Sequence, residues 1–335
     1  MTDPVPMAQV WRGRFAESVH RGHAAICDTD GQILAAWGDP DKIILPRSSC
    51  KMLQSLPLLE SGAGAYLSDE RLALACGSHQ GARMHVERVA DWLCDEGLTE
   101  ADLQCGPQRP VDRDERERLR AKGEPHTELH NNCSGKHAGF LALAKHLKSD
   151  PDYLEVAHPV QAAVRTAFEE MTGLESPGYA IDGCAAPNFA TTIAGLARAM
   201  ARMANPRGLG ACRSAAAERL VTAMRAHPLL VAGVGRACSE LIEASNRSVV
   251  AKTGAEGVFT AILPDRGLGV ALKIEDGSTR GAECAIAAIL LRLGAIAAQD
   301  PRVERRLRGP IKTRSGAIVG HIAPAPELWQ NGAAL

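Results

Sequence analysis

The sequence of 335 residues has little of what marks several classes of protein. Aromatic residues make up only 4% of it, so leucine, valine, isoleucine and alanine must fill the core. A net charge of −1 argues against nucleic acid or an anionic membrane surface as the main partner. With 45% hydrophobic and 23% charged residues, wholesale disorder is excluded. We therefore expect a soluble globular protein of one large domain or two lobes.

Long apolar runs and paired cysteines are also missing. The longest apolar stretch, Ala282 to Ala298, carries Glu283 and Arg292 and is too short and too polar for a membrane span. The first twenty residues contain an early aspartate and no apolar signal-peptide core. The ten cysteines include no C-x-x-C pair. These features predict a cytoplasmic protein with reduced thiols.

The pattern of apolar residues changes from strands to helices and back to strands along the chain. A hairpin is predicted from Gly22–Cys27 and Gln32–Trp37, and a helix over Ser48–Glu60. Further helices are predicted over 68–75, 82–96, 112–122, 136–148, 159–172 and 187–203, and a short strand over 178–181. Strands are then predicted over 248–253, 257–263 and 268–274, followed by a closing helix over 281–298.

This order predicts an α+β fold in which an antiparallel sheet from both chain ends is covered by helices. We expect a single domain of two lobes. The sheet lobe would comprise about residues 1–47 and 246–335, and a mostly helical lobe about residues 48–245.

The first chemical motif is an S-x-x-K formed by Ser48 and Lys51. Positions three apart share one face of a helix, so the amine can reach the hydroxyl. A buried lysine amine can take the serine proton and make the oxygen a nucleophile. Alone, the motif is better explained by a helix cap beside a surface lysine.

The second motif, Lys252-Thr253-Gly254, is more specific because few lysines precede a Thr-Gly pair by chance. It lies on a predicted strand that leads into a hairpin. An S-x-x-K on an early helix followed by K-T-G on a late strand is the layout of serine penicillin-recognising enzymes. The pair indicates acyl transfer on a serine.

Two further clusters could carry chemistry. Ser78 follows Gly77 in Cys-Gly-Ser-His-Gln-Gly, where a backbone can approach a substrate closely, although a simple turn serine has the same pattern. Cys133, Lys136 and His137 share one face at a helix start, and Cys184 follows the predicted strand 178–181. Two thiolates and a nitrogen suit zinc with one position left open. No pair has a recognised zinc spacing, so buried cysteines and a surface lysine remain the alternative.

Four segments, read together, resemble the rhizobial-type (class 3) L-asparaginases of the asparaginase II family. They are PRSSCKM, NNCSGKHAGF, AIDGCAAPNF and AKTGAEG. The similarity extends over nearly the whole chain, from GRFAESVHRGHAAI to EDGSTRGAE. The resemblance implies a serine-β-lactamase-like fold, a homodimer, and hydrolysis of L-asparagine to L-aspartate and ammonia.

The resemblance also implies the roles of individual residues. The catalytic candidates are Ser48, Lys51, Ser78 and Lys252, and the zinc ligands are Cys133, Lys136 and Cys184. Beyond these matched positions, we expect Arg47, His137, Asp182 and Ala255 to bind the substrate. His137 and Asp182 could instead support the zinc ligands. A lysine ligand must be neutral, and a bound cation can drive that deprotonation. Spacing alone would favour His137 over Lys136 as the nitrogen ligand.

Several functional questions remain open at this point. Zinc could supply hydroxide or could orient the substrate, and orientation is favoured because Ser48 and Lys51 already supply a nucleophile. The same serines and lysines would also suit a glutaminase or another small-amide hydrolase. A non-catalytic protein that binds amino acids and zinc is the alternative from another class.

Overall fold

The computed structural model describes residues 2–330 of the chain. Its strands are β1 (Val5–Arg12), β2 (Phe15–Cys27), β3 (Ile33–Trp37), β4 (Ile43–Ile44), β5 (Tyr179–Ile181), β6 (Pro187–Phe189), β7 (Thr191–Thr192), β8 (Val250–Thr253), β9 (Val258–Leu263), β10 (Leu268–Ile274), β11 (Pro310–Lys312) and β12 (Ile318–Pro324). Its helices are α1 (Lys51–Gln54), α2 (Leu56–Glu60), α3 (Asp69–Ala75), α4 (Arg83–Asp95), α5 (Arg113–Lys122), α6 (Ser134–His146), α7 (Pro159–Thr172), α8 (Ile193–Ala204), α9 (Ala211–Ala226), α10 (Pro228–Val231), α11 (Ala237–Ala244), α12 (Thr279–Arg292), α13 (Pro301–Leu307) and α14 (Glu327–Gln330).

The main sheet is antiparallel and joins the two ends of the chain. Its order is β11-β12-β1-β2-β10-β9-β8, with β3 paired to β2. The first part of β2 pairs with β1, and the last part pairs with both β3 and β10. The α+β class and the sheet built from both chain ends are therefore confirmed, whereas the lobe boundaries stay a prediction.

Helix α8 packs closely on this sheet, against β2, β9 and β10. A Cβ added at Gly269 of β10 would lie 2.1 Å from the Ala197 carbonyl oxygen, so only glycine permits the approach. Helices α7 and α9 pack on α8 as well, which explains why most of its residues are buried. Helix α12 also covers the sheet, against β1, β9, β10 and β12.

Three sequence predictions were wrong in detail. The helix predicted over Ser48–Glu60 is a 3-10 turn at Arg47–Cys50 followed by α1 and α2, because Pro57 cannot donate the hydrogen bond that would continue α1. The helix predicted over 187–203 begins only at Ile193, where the Thr192 hydroxyl accepts the Gly195 N–H as an N-cap; β6 and β7 precede it. The closing helix stops at Arg292, before Gly294 at φ +63°.

The sequence interpretation also missed several elements. These are β4, β11, β12 and the helices α9, α10, α11, α13 and α14. The first forty residues were expected to form strands, as β1, β2 and β3 do, but bounds were predicted only for the hairpin. The predicted hairpin of β2 and β3 and the strands β8, β9 and β10 lie where the pattern placed them, within two residues at most positions. Across residues 2–330, no helix combines the length and apolar character that crossing a bilayer requires.

Candidate active site

Ser48 lies in the 3-10 turn that connects the sheet to α1. We call Arg47–Cys50 the serine turn. It starts with Arg47 at φ +53°, a left-handed conformation that is strained for a residue with a Cβ. The Ser49 hydroxyl donates to the Pro46 carbonyl oxygen at 2.7 Å and closes the turn. The turn thus leaves the Ser48 side chain partly exposed at the start of α1.

Lys51, three residues on, is 1% exposed and points at two other loops. Its Nζ donates to the carbonyl oxygens of Gly77 and Asn132, the second at 3.2 Å. Within residues 2–330, no hydrogen bond joins Lys51 to the Ser48 hydroxyl. A lysine that acts as a general base has two N–H groups and one lone pair, so these two carbonyls would leave the lone pair as the position that accepts a proton.

Ser78 and Lys252 form a hydrogen-bonded pair between distant segments. The Lys252 Nζ donates to the Ser78 hydroxyl and to the Thr253 carbonyl oxygen, both at 2.8 Å. Burial lowers the pKa of Lys252 to about 8, since a cation is poorly solvated in the protein interior. In the described part of the chain, no carboxylate forms an ion pair with either Lys51 or Lys252.

The end of β8 lies directly against the serine turn. A Cβ added at Gly254 would be 2.6 Å from the Pro46 carbonyl oxygen, so the K-T-G glycine permits this contact. The buried Thr260 hydroxyl lies 3.1 Å from the Ser49 carbonyl oxygen and 3.2 Å from that of Lys252. These contacts hold the β8–β9 hairpin and the serine turn together.

The predicted zinc ligands also meet. The Lys136 Nζ is 3.2 Å from the Cys184 sulfur. A hydrogen bond from Cys133 and, after it, the Lys136 charge outweigh burial and lower the pKa of Cys184 to about 4. The pKa of Cys133 is raised to about 12, first by that hydrogen bond and then by burial. Burial alone would lower the pKa of Lys136. The charges of the Cys184 and Cys133 sulfurs outweigh burial, so the pKa lies above its ordinary value. These shifts favour a thiolate at Cys184 beside an ammonium at Lys136.

The donor chemistry of this cluster fits zinc, provided that lysine is one of the ligands. Two buried sulfurs and one amine within contact distance offer the soft donors that zinc prefers, and a fourth position stays open. Within residues 2–330, no group of three or more histidine, cysteine, aspartate or glutamate side chains could hold a metal ion. The set therefore depends on Lys136.

Two of the substrate-binding candidates pair with each other. The Arg47 Nε and Nη2 donate to Asp182 Oδ1 at 3.0 and 2.8 Å. Burial alone would raise the pKa of Asp182. The hydrogen bond from Arg47 and the Lys136 charge outweigh burial, so the pKa lies below its ordinary value. Asp182 precedes Cys184 by two residues, so this ion pair links the serine turn to the sulfur cluster.

The other two substrate-binding candidates differ in exposure. His137 is fully buried, its Nδ1 lies 2.9 Å from the Tyr153 hydroxyl, and its ring packs on Phe140 and Tyr153. Its Nε2 is buried and has no hydrogen-bond partner among the described residues. Ala255 is exposed in the turn between β8 and β9, where its backbone can face a ligand.

Sequence reasoning missed two polar residues at this site. Asn188 bonds the backbone of Arg47, and it stands in the AIDGCAAPNF segment without a chemical role assigned to it. Thr260 stands in the apolar strand GVFTAIL. A polar residue in a buried strand is the signal that could have identified it, because such a group must find a hydrogen-bond partner.

A sequence model of the family described as L-asparaginase II matches residues 8–324. No curated protein matches the sequence at a significant level. Among solved structures, native Mglu is 16% identical with a TM-score of 0.46, and the match covers 85% of this chain and 68% of that one. Mglu in its glutamate form is 16% identical with a TM-score of 0.47, covering 84% and 62%, so this chain spans less than two thirds of it. A β-lactamase from Mycobacterium bovis is 14% identical with a TM-score of 0.43, covering 82% and 95%.

Proposed function

The chain belongs to the L-asparaginase II family, and we propose that it hydrolyses the side-chain amide of L-asparagine to L-aspartate and ammonia. Family membership supports an asparaginase-type amidohydrolase with a small-molecule substrate. The observation that carries the finer proposal is the convergence of both candidate serines and both buried lysines. Lys51 bonds to Gly77, the neighbour of Ser78, and Ser78 bonds to Lys252.

In the first step, Ser48 attacks the amide carbon of the substrate. Lys51 takes the Ser48 proton at the Nζ lone pair, while the carbonyls of Gly77 and Asn132 hold its two N–H groups. The negative charge that develops on the amide oxygen is stabilised by the backbone N–H of Ser48 and one near Ala255.

In the second step, the carbon–nitrogen bond breaks and ammonia leaves. Ser78 gives its proton to the departing nitrogen and recovers one from protonated Lys252, to which it is hydrogen-bonded. A pKa of about 8 suits this role, because such an amine is protonated at neutral pH and releases its proton readily. The product of this step is a β-aspartyl ester on Ser48.

Water then hydrolyses the ester and restores both pairs. The attacking water gives a proton through Ser78 to the now neutral Lys252. Lys51 returns its proton to the Ser48 oxygen as the ester bond breaks. Each lysine ends the cycle in the protonation state in which it began it, so the scheme needs no further acid or base.

The charges beside the serine turn suit an amino acid. Arg47 would bind the α-carboxylate and Asp182 the α-amino group, each exchanging its present partner for the substrate. Cys133, Lys136 and Cys184 would hold zinc, which when bound would supply positive charge that orients these α-groups. His137, which packs on Phe140 and Tyr153 in the core, would support the neighbouring Lys136. The resemblance to class 3 asparaginases further suggests a homodimer, which light scattering would test. Fractionation would test the cytoplasmic location that the sequence predicts.

The decisive experiment compares ammonia release from L-asparagine and L-glutamine by the wild type and by Ser48→Ala. We expect release from asparagine, its loss in Ser48→Ala, and retention in Ser61→Ala, whose hydroxyl bonds, among residues 2–330, only to the backbone of Leu58 and Ala63. Faster release from glutamine would identify a glutaminase. A folded, zinc-loaded wild type that releases no ammonia would favour the binding protein.

A chelator added to the same assay tests the metal. If zinc orients the substrate, its removal raises KM more than it lowers kcat, and Cys133→Ala behaves like the chelated enzyme. A collapse of kcat at unchanged KM would favour the hydroxide role. Atomic absorption should find zinc in the wild type and less of it in Cys133→Ala.

A further inference from the structure

We propose that Asn188 is a positioning residue that holds the Arg47 backbone in its left-handed conformation and so presents Ser48 to the substrate. The inference rests on the proposed function, because it assumes that Ser48 is the nucleophile. It adds a residue that acts through the backbone of the serine turn and does not itself touch the reacting atoms.

The conformation of Arg47 needs an external support. Its φ of +53° is uncommon for any residue with a Cβ, because the Cβ crowds the following carbonyl group. Such a conformation persists only where surrounding contacts determine it. Since Ser48 comes next in the chain, relaxation of Arg47 would redirect the Ser48 hydroxyl.

The Asn188 side chain provides this support. Its Oδ1 accepts the Arg47 backbone N–H at 3.1 Å, and its Nδ2 donates to the Arg47 carbonyl oxygen at 3.5 Å. The same Nδ2 lies 4.0 Å from the Cys50 sulfur, at the other end of the turn. A primary amide is suited to both tasks because it offers an acceptor and a donor in one plane. Asn188 is 2% exposed, and within residues 2–330 its side-chain hydrogen bonds all go to the serine turn.

The hairpin that carries Asn188 also holds the Arg47 side chain. Asn188 lies on β6 and pairs with Ala180 of β5. One residue beyond β5, Asp182 binds the Arg47 guanidinium. In the substrate-free structure, the hairpin therefore holds Arg47 at its backbone through Asn188 and at its side chain through Asp182.

Steady-state kinetics of Asn188→Ala, Asn188→Asp and Thr191→Val test the role. Asn188→Ala should lower kcat at least tenfold and leave KM within twofold. Asn188→Asp, which keeps the acceptor for the Arg47 N–H, should fall between Asn188→Ala and the wild type. Thr191 is equally buried on the next strand, and its hydroxyl has no hydrogen-bond partner in the described part of the chain, so Thr191→Val should keep the wild-type kcat.

Two kinetic results would overturn the proposal. One is an Asn188→Ala variant that is folded and has a kcat within twofold of the wild type. The other is a KM that rises as much as kcat falls, since Asn188 would then act on substrate binding by Arg47 and Asp182.

A thermal-unfolding cycle tests the backbone contact without any activity. Arg47→Gly and Arg47→Ala both remove the guanidinium, but only glycine adopts a positive φ without strain. Arg47→Gly should therefore unfold about 2 °C above Arg47→Ala. Adding Asn188→Ala to both should abolish this difference, because without the amide the backbone can relax. A difference that survives would overturn the proposal.

The two tests separate the inference from the function beneath it. If Ser48→Ala keeps full activity, the proposed function fails, whatever Asn188 does. If Ser48→Ala is inactive while Asn188→Ala matches the wild type, only the role of Asn188 fails.

Discussion

The two serine–lysine pairs of this site are formed in opposite ways. Ser48 and Lys51 are neighbours in the chain, yet the Lys51 amine bonds to carbonyls of two other loops and not to the Ser48 hydroxyl. Ser78 and Lys252 are 174 residues apart, yet a hydrogen bond of 2.8 Å joins them. The short spacing of Ser48 and Lys51 thus places them on one turn without joining them. The hydrogen bond between Ser78 and Lys252 forms only because the fold brings distant segments together.

This difference suggests a division of labour between the pairs. The Ser78 hydroxyl is buried and already bonded, which suits passing a proton along a fixed path. The Ser48 hydroxyl is partly exposed and not bonded to Lys51, which suits attack on an incoming carbon. The predictions below test this division.

Removing each serine hydroxyl should have the largest and most unequal effect. We expect Ser48→Ala to lower kcat by about 10⁶-fold, the scale seen when a serine nucleophile is removed. Ser78→Ala should lower it by about 10²-fold, the scale of a proton-transfer contribution. Steady-state kinetics measure both, and mass spectrometry of acid-quenched enzyme should find the ester on Ser48. An ester on Ser78, or a greater loss in Ser78→Ala, would reverse the assignment.

The pH dependence should come from Lys252. The proposed ester-forming step needs this amine protonated, and its pKa is about 8, so kcat/KM should fall as the pH rises through 8. Lys252→Met should lower kcat/KM by about 10²-fold and remove this descending limb. Profiles from pH 6 to 10 measure both effects. A wild-type rate that rises through pH 8 would instead make Lys252 the base that activates Ser78.

Protein stability should depend on the same group with a definite sign. The pKa of Lys252 is lowered from 10.5 to about 8 in the folded protein, so the unfolded chain binds the proton more tightly. The contribution of Lys252 to stability should therefore increase between about pH 8 and 10.5. Thermal unfolding of the wild type against Lys252→Met isolates this contribution, and equal slopes in that range would contradict it.

The contact between Gly254, at the end of β8, and Pro46, beside the serine turn, should tolerate no added methyl group. In Gly254→Ala the new carbon would press on the Pro46 carbonyl oxygen and move β8, with Lys252, away from the serine turn. We expect kcat to fall by about tenfold, since small displacements of catalytic groups are costly. In Gly139→Ala the methyl group would meet neighbours only at 3.4 Å or beyond, so activity should be retained. An unchanged kcat in Gly254→Ala would show that catalysis does not depend on the close contact between β8 and the serine turn.

The sequence predicted the fold where patterns are local. Strands β9 and β10 are short apolar segments on either side of a clear turn, and the chain forms them there. The helix predicted over Ser48–Glu60 was wrong because its apolar spacing continues through Pro57, where the backbone cannot. The short strand β11 was missed because its three residues lie partly or fully exposed and carry no apolar pattern.

The candidate site was predictable as a set of residues but not as a set of contacts. The four segments that carry the family resemblance contain every candidate site residue except Ser78, which stands in Cys-Gly-Ser-His-Gln-Gly, and Thr260. The two carbonyls that bind Lys51 could not be predicted, because a carbonyl has no sequence signature. Asn188 lies 141 residues from Arg47, and only the sheet and its helices bring the two together.

Loss of the Thr260 hydroxyl should give the smallest effect and is the most direct test of how the pairs are coupled. This hydroxyl has one proton for two carbonyl acceptors, those of Ser49 and Lys252, so Thr260→Val removes about 1 kcal/mol of hydrogen bonding, or about fivefold in a rate that depends on it. Thr166→Val, which removes an exposed hydroxyl bonded within α7, is the control. If Thr260 couples the pairs, Thr260→Val should lower kcat in the wild type but not in Ser78→Ala, where the second pair is already broken. Equal losses in both backgrounds would mean that Thr260 supports Ser48 alone.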